Sequence, residues 1–230
     1  MIARHLLRLV GAIAAVLPVY LLSGTMPAGA AQQSLIFGPG QTVDGSTLAR
    51  AVTDNAYFQS SFFNEQYLPK TPYQTLYAGP GDEKATQVGS ALRVDASRSF
   101  TVSRGTIFFL PLTAADDSQS VLGRRFPKKR SGAVAFWYQQ ATIGATGAVV
   151  SIDGKSIRLG HGYLVGPRWV AKLADGAGHH IIQEAAFIRA LSPGLHTVAV
   201  HEDFNGLLYA KKSGFSSTSY NYTFSVTVLG

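Results

Sequence analysis

The chain has 230 residues, a formal net charge of +7 and no cysteine. The lack of cysteine excludes disulfide bonds, thiol catalysis and thiolate metal sites, so packing alone must hold the fold together. The length suits one large β domain or two small ones, and the positive charge favours anionic partners such as envelope polymers or lipid head groups.

The first thirty residues have the three parts of an export signal. Arg4 and Arg8 precede fourteen almost purely apolar residues, Leu9–Leu22, and a tail of small residues follows at positions 28–31. Signal peptidase requires small side chains at its −3 and −1 positions, so we expect cleavage after Ala30 or Ala31. Fourteen residues are fewer than the roughly 20 that span a bilayer. The sequence predicts a signal peptide at 1–30 and a single periplasmic or extracellular domain at 31–230, without a transmembrane segment.

A short helical region is predicted near the start of this domain. Ser46 is a suitable N-cap, and apolar residues then recur at helical spacing as far as Asn55. Seven aromatic residues follow between Tyr57 and Tyr77. Exposed aromatic faces can stack on sugar rings, so Tyr67 is a candidate ligand-binding residue, as is Trp169 further along the chain. Packing in the core is the alternative role for such side chains.

Most of the remaining chain has the pattern of short strands separated by turns. In the clearest, 220–228, aromatic residues or valine alternate with small polar residues, which indicates one buried and one solvated face. Further candidate strands are 106–110, 133–138, 148–152, 155–159 and 195–201, with tight hairpin turns at Asp153-Gly154 and Asn205-Gly206. Segment 181–191 fits helix and strand periods equally well. We therefore predict a mainly β protein, an antiparallel β-sandwich that is jelly-roll-like or immunoglobulin-like.

The densest cluster of charge lies in segment 124–130. Its five cations are Arg124, Arg125, Lys128, Lys129 and Arg130. On a loop between strands they would form a positive patch for phosphate, sulfate or carboxylate groups, and the alternative is a solvated hairpin tip. No nucleic-acid fold signature accompanies these cations, so nucleic acid is not an expected partner.

Candidate catalytic groups are few. They are Asp116, Asp117, His201 and Asp203. A glycosidase would need a further carboxylate facing the aspartate pair across a cleft, and the sequence does not choose between Glu184, Glu202 and Asp203. An Asp-Asp-Ser sequence is also an ordinary turn signal. No metal-ligand spacing, phosphate-binding loop, nucleophile elbow or dinucleotide fingerprint is present, so we expect neither a metal nor a cofactor.

Four short motifs follow one another between residues 103 and 229. They are Gly105-x-x-x-Phe109-x-Pro111, Ser151-x-Asp153-Gly154, Leu191-Ser192-Pro193-Gly194-x-His196-Thr197 and the terminal Tyr220-Asn221-x-Thr223 strand. Their order and spacing resemble a family of exported bacterial β-rich proteins of unknown function. The N-terminal third departs from the tryptophan-rich helix of that family, and its cysteines are missing here. The resemblance implies an exported β fold and assigns no catalytic residue.

The sequence as a whole predicts an exported binding or structural module of the bacterial envelope or exterior. Its expected ligand is a glycan or an anionic polymer, bound by the cations of 124–130 together with Tyr67 and Trp169. One alternative is a polysaccharide hydrolase or lyase that uses the four candidate catalytic residues. Another is a self-associating structural protein of the surface.

Overall fold

Two mixed β-sheets make up most of the protein in the computed structural model, which describes residues 34–118, 125–174 and 176–230. The expected signal sequence and Arg124 lie outside these ranges. In the described ranges, no helix has the length and hydropathy needed to cross a membrane.

The described residues form ten strands and three α-helices. The strands are β1 (Gln74–Thr75), β2 (Glu83–Val88), β3 (Ala91–Val102), β4 (Phe108–Asp116), β5 (Val149–Ile152), β6 (Lys155–Arg158), β7 (Leu164–Trp169), β8 (His180–Ile188), β9 (Gly194–Phe204) and β10 (Ser217–Val228). The helices are α1 (Leu48–Ser60), α2 (Arg130–Tyr138) and α3 (Leu207–Ser213), with short 3₁₀ turns at Glu65–Tyr67 and His161–Tyr163.

The strand order is β1-β4-β8-β7 in one sheet and β2-β3-β10-β9-β5-β6 in the other. The pairs β1–β4 and β3–β10 are parallel, and all other pairs are antiparallel. The prediction of a mainly β sandwich is confirmed, and its mostly antiparallel sheets each include one parallel pair, β1–β4 and β3–β10. An alternating pattern fixes which face of a strand is buried and does not specify the direction of its neighbour.

The main core lies between the two sheets. Phe108 and Leu110 of β4 pack there with Val198 of β9 and with Phe224 and Val226 of β10, and all five side chains are almost fully buried. Each such side chain contributes about 1.5–3 kcal/mol of hydrophobic free energy. The predicted terminal strand is therefore confirmed, with its even-numbered residues towards the other sheet.

The opposite face of the four-stranded sheet is covered by α1. Ala51 and Val52 of this helix share a hydrophobic cluster with Phe109 of β4 and Phe187 of β8. The N-cap is Thr47, one residue after the expected Ser46, and its Oγ1 accepts the amide hydrogen bond of Arg50. Because both faces of β8 are covered, eight of its nine residues are buried, and no period-two pattern remains in its sequence.

Segment 133–138, predicted as a strand, is instead part of α2. Its buried residues are Ala133, Phe136 and Trp137, which are spaced as one face of a helix. The apolar run contains valine and aromatic residues that favour strands, but burial of a helical face outweighs this preference.

The Asn205-Gly206 pair, predicted as a hairpin turn, precedes α3. Gly206 has a φ of −72° and is the N-cap of that helix. Glycine is required there because a Cβ at this position would lie 2.1 Å from the Thr142 carbonyl oxygen. By contrast, the predicted Asp153-Gly154 hairpin is confirmed, with φ angles of 49° and 81°.

Two of the four short motifs, those that contain Asp153 and His196, meet in the six-stranded sheet. Asp153 Oδ2 lies 2.7 Å from His196 Nδ1, and Asp153 Oδ1 accepts the Thr197 amide hydrogen bond at 2.8 Å. The hydrogen bond that His196 donates to Asp153 raises the pKa of His196. These motif residues therefore fix the β5–β6 hairpin to the start of β9.

Replacing Gly206 with alanine is expected to lower the free energy of unfolding by more than about 2 kcal/mol, because the new methyl group overlaps backbone atoms. Urea unfolding measures the loss. The matched control is Gly154→Ala, where the added Cβ has open space and only the positive φ is unfavourable, at about 1–2 kcal/mol. Equal losses in the two variants would contradict the close approach at Gly206.

The His196→Asn variant tests the link between the motifs. Because the folded pKa of His196 is raised, its stabilisation is fully present below the unfolded value of about 6.5 and is lost as pH rises through the folded value. The difference in unfolding free energy between wild type and variant is therefore expected to be larger at pH 5.5 than at pH 9. In an Asp153→Asn background, the same substitution is expected to lose this pH dependence, and persistence would show that Asp153 is not its cause.

Candidate functional site

A cavity of about 380 Å³ opens at one end of the sandwich. Its walls are the C-terminal end of α1 with the following Phe62 and Phe63, β4 residues 111–116, the side chains of Tyr209, Lys212 and Ser213 on α3, and Tyr220 and Tyr222 on β10. Trp137 and Phe204, both fully buried, also contribute to the lining. It is therefore a mostly apolar recess between the two sheets, with several aromatic rings in its walls.

One wall of the cavity is shaped by a β-bulge in β4. Leu112 and Thr113 together oppose the single residue Glu184 of β8. The Leu112 carbonyl accepts hydrogen bonds from Gln59 Nε2 at 2.8 Å and Gln183 Nε2 at 3.0 Å. A bulge bends its strand and redirects side chains. The neighbouring Pro111 is a sequence signal for it, since proline within a strand marks an edge or a bulge.

The rim of the cavity contains an unusual helix terminus. After Ser61, the C-cap of α1, the Phe63 amide bonds to the Phe58 carbonyl and the Phe62 amide bonds to the Gln59 carbonyl, each at 3.0 Å. This pair of bonds defines a Schellman motif, in which the position of Phe62 normally holds glycine. The φ angles of Phe62 and Phe63 are 57° and 55°, a conformation that costs a side chain about 1–2 kcal/mol.

Behind the bulge lies a pair of buried carboxyl groups, Glu184 of β8 and Glu202 of β9. Glu184 accepts hydrogen bonds from Trp137 Nε1 at 3.4 Å and the Ala148 amide at 3.3 Å. Burial raises the pKa of both groups, and the charge of Glu184 raises the pKa of Glu202 further. Two buried carboxylates in contact cannot both ionise without a large electrostatic cost. The pair therefore retains a shared proton at pH values well above those at which a carboxyl group normally ionises.

The carboxyl pair is linked to the cavity through Thr113. Thr113 acts to lower the pKa of Glu202 and also lines the cavity, whereas neither glutamate is among the lining residues. Glu184 and Glu202, which the sequence left as possible partners of the aspartate pair, therefore join the two sheets to each other. Their burial was missed because a charged residue in a strand is normally taken to mark its solvated face.

Tyrosine hydroxyls form the polar part of the cavity wall. Tyr209 and Tyr220 share a hydrogen bond of 3.2 Å between their hydroxyl groups. Burial raises the pKa of Tyr220 and Tyr222, so these phenols remain neutral at physiological pH. Each is able both to donate and to accept a hydrogen bond.

The two candidate aspartates have different positions. Asp116 lines the cavity. Asp117 Oδ1 accepts the amide hydrogen bonds of His179 and His180, and its Oδ2 lies 2.7 Å from His180 Nδ1. Partial burial acts to raise the pKa of Asp117, but these hydrogen bonds outweigh it and hold the pKa below its usual value. Asp117 thus fixes the start of β8.

His201 and Asp203 lie on the outer face of the six-stranded sheet, alternating with the buried residues of β9. His201 Nε2 is 3.0 Å from Asp203 Oδ2, and Ser219 Oγ donates to Asp203 Oδ1 at 2.5 Å. The aspartate stands between the hydroxyl and the imidazole, which is not the order of a serine nucleophile and its base. The four catalytic candidates are thus divided between two sheets. Within the described ranges, no three His, Cys, Asp or Glu side chains form a potential metal site.

The described part of the cation cluster precedes and begins α2, rather than joining two strands. Arg125, Lys128 and Lys129 are exposed. Arg130 is the first residue of the helix and donates to the His161 carbonyl at 2.6 Å. The partial positive charge of a helix N-terminus adds to the charge of these side chains. The arrangement concentrates positive potential at one surface.

The two aromatic candidates lie outside the cavity. Tyr67 is in a 3₁₀ turn and packs edge-on against Tyr57, with 4.9 Å between the ring centroids. Trp169 ends β7, is 63% exposed and stacks on His179 at 5.9 Å. Phe62, by contrast, is an exposed aromatic residue that lines the cavity. The sequence around Phe62 contains no pattern that distinguishes it from the other aromatic residues of this segment.

No protein-family model matches the sequence, and no curated protein is significantly similar to it. Among solved structures, the chain in "Solution Structure of Amebosin" is 9% identical, with a TM-score of 0.24, over 69% of this chain and 99% of its own. A chain in "Structure of PbICP-C in complex with falcipain-2" is 14% identical, with a TM-score of 0.21, over 61% of this chain and 99% of its own. At these TM-scores, neither structure assigns a fold family or a function to this chain.

Replacing Glu202 with glutamine tests the shared proton. The folded pair keeps a proton at pH values where the unfolded chain has already released it. The contribution of the pair to the free energy of unfolding therefore falls as pH rises above about 4.5. The variant keeps only Glu184, whose pKa is also raised by burial, so its loss is smaller. We expect its unfolding free energy, relative to wild type, to increase between pH 5 and pH 8 in urea titrations.

The matched control is Asp44→Asn, which makes the same chemical change at an exposed turn residue with a φ of 46°. Asparagine tolerates that conformation. A relative stability of Glu202→Gln that stays constant from pH 5 to pH 8 would contradict the shared proton.

Proposed function

We propose that this chain, after removal of residues 1–30, is an exported module that binds a glycan in the cavity at the end of the sandwich. The observation that carries this proposal is a recess of about 380 Å³ whose walls combine aromatic rings with tyrosine hydroxyls. Cavities of this size and mostly apolar lining, with a few fixed polar groups, are typical of small-ligand sites.

The chemistry of the lining fits a polyhydroxylated ligand. The hydroxyl groups of Tyr209 and Tyr220 can donate to and accept from sugar hydroxyls, and their mutual hydrogen bond orients them. Aromatic rings offer faces for the apolar C–H groups of a sugar ring. Asp116 and Lys212 add a carboxylate and an ammonium group to the walls. We therefore infer a glycan ligand from the hydrogen-bonding groups in the cavity walls, and not from the net charge of the protein.

A second candidate function is favoured by the cations around the start of α2. Arg125, Lys128 and Lys129 are exposed, and the positive helix terminus adjoins them. A surface of this kind attracts sulfate, phosphate or carboxylate groups of an anionic polymer, and salt screens the attraction. Glycan and polyanion binding thus make different predictions about ionic strength.

The test is binding of residues 31–230 to an array of neutral and acidic glycans at low and physiological salt. For cavity binding, we expect a salt-insensitive signal that Tyr209→Phe weakens about 3- to 10-fold, the range for one lost hydrogen bond. For polyanion binding, we expect a salt-sensitive signal that is lost when Arg125, Lys128 and Lys129 are changed together to serine.

Each variant has a control. A triple serine variant at Lys84, Arg104 and Lys155 removes the same charge from exposed positions elsewhere and is expected to retain the acidic-glycan signal. Thermal unfolding of Tyr209→Phe checks that the fold is intact. Absence of any signal from wild-type protein would overturn both glycan and polyanion binding and favour a structural role.

A further inference from the structure

Phe62 contributes little to the packing of the protein. Its side chain is 72% exposed, although glycine would satisfy the same helix terminus with less backbone strain. The next residue, Phe63, has an equally unfavourable φ but packs at 5.3 Å from the ring of Phe58 and at 6.0 Å from that of Tyr77. Packing accounts for Phe63 and leaves Phe62 without a structural role in the described residues.

Phe62 stands between two depressions of different chemistry. Phe62 lines the mostly apolar cavity and also a depression of about 660 Å³. The second depression is bordered by Asn64, Glu65, Asp82 and Arg98. Phe62 thus borders both a mostly apolar cavity and a depression with polar and charged groups.

The polar groups of the second depression are held in fixed positions. The Arg98 guanidinium lies 2.5 Å from Glu65 Oε1 and 3.4 Å from Asp82 Oδ2, and it stacks over the Tyr77 ring at 4.2 Å. The Gly79 amide donates a further hydrogen bond to Asp82 Oδ2 at 2.8 Å. Groups oriented in this way before a ligand arrives lose little conformational entropy when they bind it.

We propose that Phe62 is a stacking platform for a sugar ring of a glycan chain that runs from the cavity into the polar depression. The flat face of the ring would pack against the C–H face of the sugar, while flanking carboxylate, amide and guanidinium groups bind its hydroxyls. The inference deepens the proposed glycan binding and rests on it. Backbone strain retained at an exposed side chain is typical of functional positions.

This proposal predicts opposite effects of one substitution on stability and on binding. Phe62→Gly relieves the backbone strain and is expected to raise the urea midpoint of unfolding. The same variant is expected to lose at least 10-fold in affinity for whichever neutral hexasaccharide binds wild type most tightly, among those of β-1,4-linked glucose, N-acetylglucosamine and xylose. Phe62→Trp keeps an aromatic face and is expected to bind within about 3-fold of wild type.

Phe62→Leu distinguishes a flat stacking surface from an apolar anchor for another protein. Leucine keeps the strain and the apolar character but has no ring face, so stacking predicts a loss close to that of Phe62→Gly. Leu195→Ala, at a side chain that is 73% exposed on β9, is the matched control and is expected to leave affinity unchanged.

The outcomes separate this proposal from the function on which it rests. If wild type binds a hexasaccharide and Phe62→Gly or Phe62→Leu binds it equally well, the platform is wrong and glycan binding stands. If wild type binds none of the hexasaccharides, both are overturned. If Phe62→Gly is less stable than wild type, the absence of a structural role for this side chain is wrong, and Phe62→Leu still decides the binding effect.

Discussion

The structure depends on covering both faces of the four-stranded sheet. Its strand β8 is buried along almost its whole length, with α1 against one face and the six-stranded sheet against the other. Either face left in water would expose large side chains such as Phe108 or Phe187. The position of α1, the closure of the sandwich and the location of the cavity at its end all follow from this constraint.

Complete burial of β8 also explains the carboxyl pair. Glu184 lies in this strand opposite the β4 bulge, and Glu202 approaches it from the other sheet. Two buried carboxylates would be costly, and a proton retained by the pair removes one of the two charges. Thr113 lies beside Glu202 and also lines the cavity, so the site adjoins a deeply buried part of the fold.

The side chains at the rim of the cavity are less tightly packed than those in its interior. Inside, Trp137, Phe204 and the tyrosines of β10 are fixed by packing and hydrogen bonds. At the rim, Phe62 adopts a conformation suited to glycine while its ring remains exposed. A rigid recess beside an exposed aromatic ring on a well-defined helix terminus is an arrangement suited to binding, since the ligand need not order the site.

The sequence alone determined the elements whose local pattern is unambiguous. Strand 220–228, the hairpin at Asp153-Gly154 and the helix after Ser46 were predictable because alternation, positive-φ turn residues and capping act over a few neighbouring residues. Only the tertiary structure decided the helical state of 133–138, the parallel pairing of β10, the burial of Glu184 and Glu202, and the placing of Phe62 beside the cavity. These depend on which surfaces meet across the sandwich, and contacts between residues far apart in sequence leave no periodic signal in the chain itself.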